Sequence, residues 1–154
     1  MRELRNRRTV LRSLSVAALL TIVVGCGGRY NASVSGVATL NGSPLPRGTV
    51  KFIPEQSGAS SYGSIGSDGS YSMMTGREKG LQSGSYVVTV VCNEASTPNA
   101  NPSLPPTPGK PITPTWYRDQ TITPLKHKVE PGRNTINLEL TSQPPAGWKP
   151  GKAR

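Results

Sequence analysis

Very few side chains in this sequence are equipped for chemistry, and their spacing decides what that chemistry is. The chain holds one histidine, His127, and two cysteines, Cys26 and Cys92. That is little material for a transition-metal site, which draws on several His or Cys ligands. Asp68 stands alone at its turn, and one carboxylate falls far short of the six to eight oxygens calcium takes. His127 shares strand parity with Leu125 and Val129, which predicts a packed or partly exposed structural histidine and not a catalytic base. Serines are abundant, but none sits in the strand-to-helix elbow that exposes a nucleophile. Cys92 follows the parity of Tyr86, Val88 and Val90, which predicts a buried, inert thiol. The expectation is a non-enzyme with no catalytic residue, metal or cofactor.

Trp116 and Tyr117 stand apart, because they end a proline-rich stretch. Exposed, they would be candidate ligand contacts, stacking on a sugar or a peptide. The alternative is that they pin the stretch back onto the folded body, which is favoured because an exposed Trp without a function is disfavoured. Phe52, Tyr71 and Tyr86 are expected in the core.

Cys26 carries the clearest chemistry. Arg2, Arg5, Arg7, Arg8 and Arg12 make a basic head, and Leu14 to Val24 is an apolar run. The run is shorter than the ~20 residues that span a bilayer, and the combination reads as an export signal over residues 1–25. It ends in Val23-Val24-Gly25-Cys26, which resembles the bacterial lipobox. The resemblance implies cleavage before Cys26 and attachment of a diacylglycerol to its thiol, hence a palmitate-type anchor in the cell membrane. Asn6-Arg7-Arg8-Thr9-Val10-Leu11 also resembles a degraded twin-arginine signal, so both export routes stay open, as does the membrane that receives the lipid.

The formal charge of +10 owes much to this discarded segment, since five Arg and one Glu lie in residues 1–25 and leave +6 behind. The remaining excess is dispersed, without the cluster or stripe that marks a nucleic-acid footprint. A solvated surface is the first reading of such an excess, and a surface facing anionic lipid or an acidic polymer at the cell envelope is the partner reading beside it. Once Cys26 is acylated, Cys92 has no disulfide partner in the chain.

These residues are expected to be positioned by short elements, because 17 Gly and 15 Pro among 154 residues argue against a long-helix protein. The apolar residues alternate in short runs bounded by Gly, Asn, Asp and Pro, the signature of strands. Runs are predicted at 34–40, 49–53, 62–65, 70–74, 85–92, 125–129 and 135–140. The pair 62–65 and 70–74 flanks an Asp68-Gly69 hairpin turn, and the last two runs are expected to pair around Glu130-Pro131-Gly132-Arg133-Asn134. Residues 85–92 are apolar on both parities, which predicts a central strand. Seven short strands imply an all-β sandwich, interrupted by a proline-rich insertion at 93–115. Residues 26–33 are read as an anchor linker and 142–154 as a flexible tail.

Three segments carry a family resemblance. Ser35-Gly36-Val37-Ala38-Thr39-Leu40-Asn41-Gly42-Ser43-Pro44-Leu45 resembles the opening of a carboxypeptidase regulatory-like, or transthyretin-like, domain. Ser67-Asp68-Gly69-Ser70-Tyr71 resembles its Asp-Gly-x-Tyr turn, and Leu81-Gln82-Ser83-Gly84-Ser85-Tyr86-Val87-Val88-Thr89-Val90 resembles its Leu-x-x-Gly-x-Tyr strand. Gly66 departs from the acidic residue often found there. The later segments resemble small planctomycete lipoproteins. The resemblance implies a seven-stranded Ig-like sandwich over residues 34–141, serving as a structural or protein-interaction module. A small carbohydrate- or peptide-binding lipoprotein using Trp116 and Tyr117 is the second expectation.

Overall fold

A computed structural model describes residues 29–148, so Cys26 and the export signal lie outside the described residues. The body is all-β, with two sheets facing each other across one core. In chain order its strands are β1 (Ala32–Leu40), β2 (Ser43–Pro44), β3 (Gly48–Pro54), β4 (Ser61–Ile65), β5 (Ser70–Ser72), β6 (Met74–Thr75), β7 (Glu78–Lys79) and β8 (Gly84–Val91). A one-turn helix α1 (Thr115–Arg118) precedes β9 (Lys126–Val129), β10 (Gly132–Thr135) and β11 (Leu138–Leu140).

The first sheet is built around β1. Its first half pairs parallel with β10 and its second half parallel with β11, while β5 and β2 pair antiparallel on the other side. The second sheet runs β7-β6-β4-β3-β8-β9, every pair antiparallel. Alternation fixes which side of each strand is buried. Val34, Ala38, Tyr71, Leu138 and Leu140 come from the first sheet, and Val50, Phe52, Ile65, Tyr86, Val88, Val90 and Val129 from the second.

Two expected runs are each broken in two. Residues 70–74 do not form one strand, because β5 belongs to the first sheet and β6 to the second. Met73, fully buried between them, is where the chain changes sheet. Residues 135–140 split at Ile136, opposite Gly36. A side chain on Gly36 would run into the Ile136 carbonyl, so glycine is what lets the chain pass so close to β1. Tyr71 fixes the same spot, its hydroxyl donating to the Ile136 carbonyl at 2.6 Å. Burial holds that phenol well above its ordinary pKa.

The last two runs are not a hairpin, contrary to expectation. β9 pairs with β8 and β10 with β1, so residues 130–131 cross between sheets. The Asn134 side chain shapes the crossing by accepting from the Glu130 amide at 2.9 Å and donating to the Glu130 carbonyl at 2.7 Å. The Asp68 turn does form, with Gly69 at φ 81° and the Gly66 amide donating to the Ser70 carbonyl at 2.8 Å.

The boundaries also move. Asn31 and Ala32 belong to the body and not to a linker: Ala32 exchanges backbone hydrogen bonds with Leu81, and Asn31 accepts from the Ser83 amide at 2.7 Å. The proline-rich insertion folds back on itself through bridges at Asn93–Pro111 and Thr97–Thr107. The tail is docked as far as Trp148, whose ring meets Trp116 edge-on at 4.8 Å.

Candidate functional site

Of the aromatic, histidine and cysteine side chains singled out from sequence, those within the described chain are interior or partly interior, while Asp68 is exposed at its turn. Trp116 and Tyr117 are 7% and 3% exposed on α1, so neither presents a free ring face to a ligand from solvent. The physical reason is the gap they fill. The Tyr117 hydroxyl accepts from the Thr141 amide, just past β11, while α1 packs on β8, so the helix bridges the two sheets. His127 faces the core side of β9 opposite Tyr86 and stacks on Phe52 at 6.5 Å. Burial lowers its pKa. Cys92 is fully buried, and burial pushes its thiol up, partly offset by Arg47. Among the described residues no three His, Cys, Asp or Glu side chains gather where a metal ion could be held.

The exposed chemistry lies elsewhere, on the outer face of the second sheet. In an antiparallel ladder, directly paired residues point to the same side. Thr89 pairs with Lys51, Lys51 with Tyr62, Tyr62 with Met74, and Met74 with Lys79. One row of side chains therefore crosses five strands on the outer face, covered at Thr89, which is 6% exposed, half-buried at Lys51 and open from Tyr62 to Lys79. Tyr62 is 48% exposed and Met74 38%. The Lys51 ammonium sits 5.4 Å from the centre of the Tyr62 ring, a cation–π contact worth about 0.5–1 kcal/mol at an exposed site.

Beside this row runs a groove of about 560 Å³. Lys51, Ile53, Thr89 and Val91 form its sheet side, and Arg118 to Thr121 form its other wall. Asp119 is the acidic residue of that wall. Its carboxylate is turned onto Thr121, accepting from the amide at 2.8 Å and the hydroxyl at 2.7 Å, and these bonds lower its pKa. Lys126 and Lys128 share the face but are paired with Glu55 and Glu130. Lys51, Lys79 and Arg118 have no acidic partner among the described residues. A smaller hollow of about 280 Å³ opens near the start of β8, lined by uncharged residues including Tyr30, Gln56 and Gln82.

Tyr62 was missed as a site residue from sequence, although the signal was present. Ile65 sets the buried parity of β4, and Tyr62 falls on the other one.

The chain was compared with protein-family models, with curated proteins and with solved structures, and none matches it.

Proposed function

We propose that the chain is an exported lipoprotein, cleaved before Cys26 and acylated on its thiol, whose sandwich works as a non-catalytic interaction module at the cell envelope. One observation carries this: the two ends of the sandwich are differently equipped. The chain enters at Asn31 and Ala32, beside Leu81 and Gly132. The proline-rich insertion leaves the far end of β8, next to Gly48. A lipid a few residues ahead of Tyr30 would hold the first end at the membrane and present the insertion away from it. Two or more acyl chains give a stable anchor, where one is marginal.

The transthyretin-like, seven-stranded assignment is supported by the placement of its motifs. Gly36 to Leu40 lies in β1, the Asp68-Gly69 turn leads into β5, and Gly84 to Val90 lies in β8. With β5–β6 and β10–β11 each counted as one broken run, and β2 and β7 set aside as edge pieces, seven runs remain. Metabolic labelling with a palmitate analogue tests the anchor. Label should appear on the parent chain and vanish in Cys26→Ser; label retained in that variant overturns the assignment.

A further inference from the structure

We infer that the Lys51–Tyr62–Met74–Lys79 row and its flanking groove are a binding site for an acidic polysaccharide, a chain of sugar rings bearing carboxylates. The inference rests on the reading of the chain as a displayed binding module, and it supplies the ligand class. Three features of the face select this chemistry.

The first is charge. Lys51, Lys79 and Arg118 are the cations of this face without acidic partners among the described residues, and Asp119 is occupied by Thr121. Strands stand about 4.8 Å apart, so the three steps from β3 to β7 set the Lys51 and Lys79 backbones about 14 Å apart on either side of Tyr62. A polymer with repeating carboxylates meets both lysines in one extended pose.

The second is the half-exposed tyrosine between them. The C–H face of a sugar ring is weakly positive and complements the negative face of an aromatic ring. The Lys51 ammonium, 5.4 Å from the centre of the same ring, gives up only a weak contact when it moves aside to meet a carboxylate on the stacked sugar.

The third is what the face lacks. At the groove β3 is paired on both sides by β4 and β8, and the open edges of this sheet are only the two-residue β7 and the four-residue β9, so the face offers little strand for an extended peptide to add to, which is how such peptides gain affinity. Hydrogen bonding here falls to hydroxyl and amide side chains, with Thr49, Gln120 and Thr121 at the groove. Such groups suit a ligand rich in hydroxyls.

The test uses the full chain, purified in neutral detergent, against polygalacturonate, alginate and hyaluronate, with dextran as the neutral polymer and anionic phospholipid vesicles as the competing surface. At least one uronate polymer should bind, dextran should not, and binding should weaken with salt because these charges are exposed. Tyr62→Ala and the double variant Lys51→Ala/Lys79→Ala should each weaken it about tenfold, a loss of ~1.4 kcal/mol. Lys110→Ala, in the insertion, should leave it unchanged. Circular dichroism of each variant checks that the sandwich is intact. Failure of all three uronate polymers to bind overturns the site, as does binding untouched by the row variants, or a row-dependent binding to vesicles alone. The outcomes separate from the anchor: Cys26→Ser that loses label yet binds the polymer leaves this site standing, and a labelled chain that binds none removes this site only.

Discussion

The Thr113 hydroxyl accepts from the Cys92 amide at 3.0 Å, and this contact closes the neck of the proline-rich insertion. The Cys92 carbonyl in turn accepts from the Ile112 and Thr113 amides at 2.8 and 3.2 Å. Both side chains are fully buried, so the neck belongs to the core while the segment it closes stands outside.

Neck and loop should therefore respond oppositely to mutation. Thr113→Val keeps the volume but strands a buried amide, a loss of about 1–3 kcal/mol. Replacing residues 94–110 by a few Gly and Ser, with Cys92 and Thr113 kept, removes mostly exposed chain. Two halvings of loop length change closure entropy by only about 1.2 kcal/mol, and a shorter loop closes more easily. Urea unfolding of both variants checks this. A loop replacement that costs more than Thr113→Val would mean that the insertion itself supports the fold.

The two faces of the second sheet should separate in the same way. Val88 is fully buried and Tyr62 is 48% exposed. Val88→Asp puts an unpaired carboxylate into the core, a cost of several kcal/mol against a domain stability of about 5–15. Tyr62→Ala gives up one exposed cation–π contact and should cost under about 1 kcal/mol. Thermal melts of both rank them. Equal damage from the two would show that the outer row is a structural element and not a surface free to bind.

His127 should give stability a pH dependence of one sign. Its folded pKa lies below the ordinary 6.5 because of burial. The unfolded chain therefore takes up the proton first, and stability falls as pH drops from above 6.5 towards the folded value. Asp68 and Asp119 act lower down. Hydrogen bonds from Ser70 and from Thr121 depress their pKa values below 3.8, so their contribution is present above that pH and is lost as pH falls through the folded values. Urea midpoints between pH 7.5 and 5 should slope downward in the parent and flatten in His127→Phe. A slope unchanged by that substitution would assign the effect to another group.

Much of this was legible locally. The parity of Val88, Val90 and Cys92 gave their burial, and the Asp68-Gly69 pair gave a turn with positive φ. What alternation cannot supply is the partner. Glu130 to Asn134 has the composition of a hairpin turn, but local sequence does not distinguish a return within one sheet from a crossing to the other. Met73 and Met74 are apolar on both parities, which is what a change of sheet looks like. Read as one strand, they hide it. The outer row was accessible in principle, since Ile65 turns Tyr62 outward, but the pairing of Lys51 and Lys79 with it depends on register across four strands. Trp148 follows Pro144-Pro145-Ala146-Gly147 and reads as tail, because nothing near it in the chain reveals the ring it meets.

That ring makes the docked tail measurable. The chain has two tryptophans, so its indole fluorescence reports only the Trp116–Trp148 pair. They meet edge-on at 4.8 Å, with Trp116 also 5.9 Å from Tyr117. An aromatic pair of this geometry is worth about 0.5–1.5 kcal/mol beyond its buried area. Trp148→Ala should expose the Trp116 ring, moving its emission to the red and lowering stability by about 1–3 kcal/mol. Trp148→Phe keeps a ring against Trp116 and should restore most of both. The Nε1 atoms of both tryptophans are buried without a partner, so Phe gives up no hydrogen bond by replacing Trp148. An emission maximum for Trp116 that is the same in Trp148→Ala and Trp148→Phe would place the tail away from α1 in solution, and the cover over that end of the core would then rest on Tyr117 and its bond from Thr141 alone.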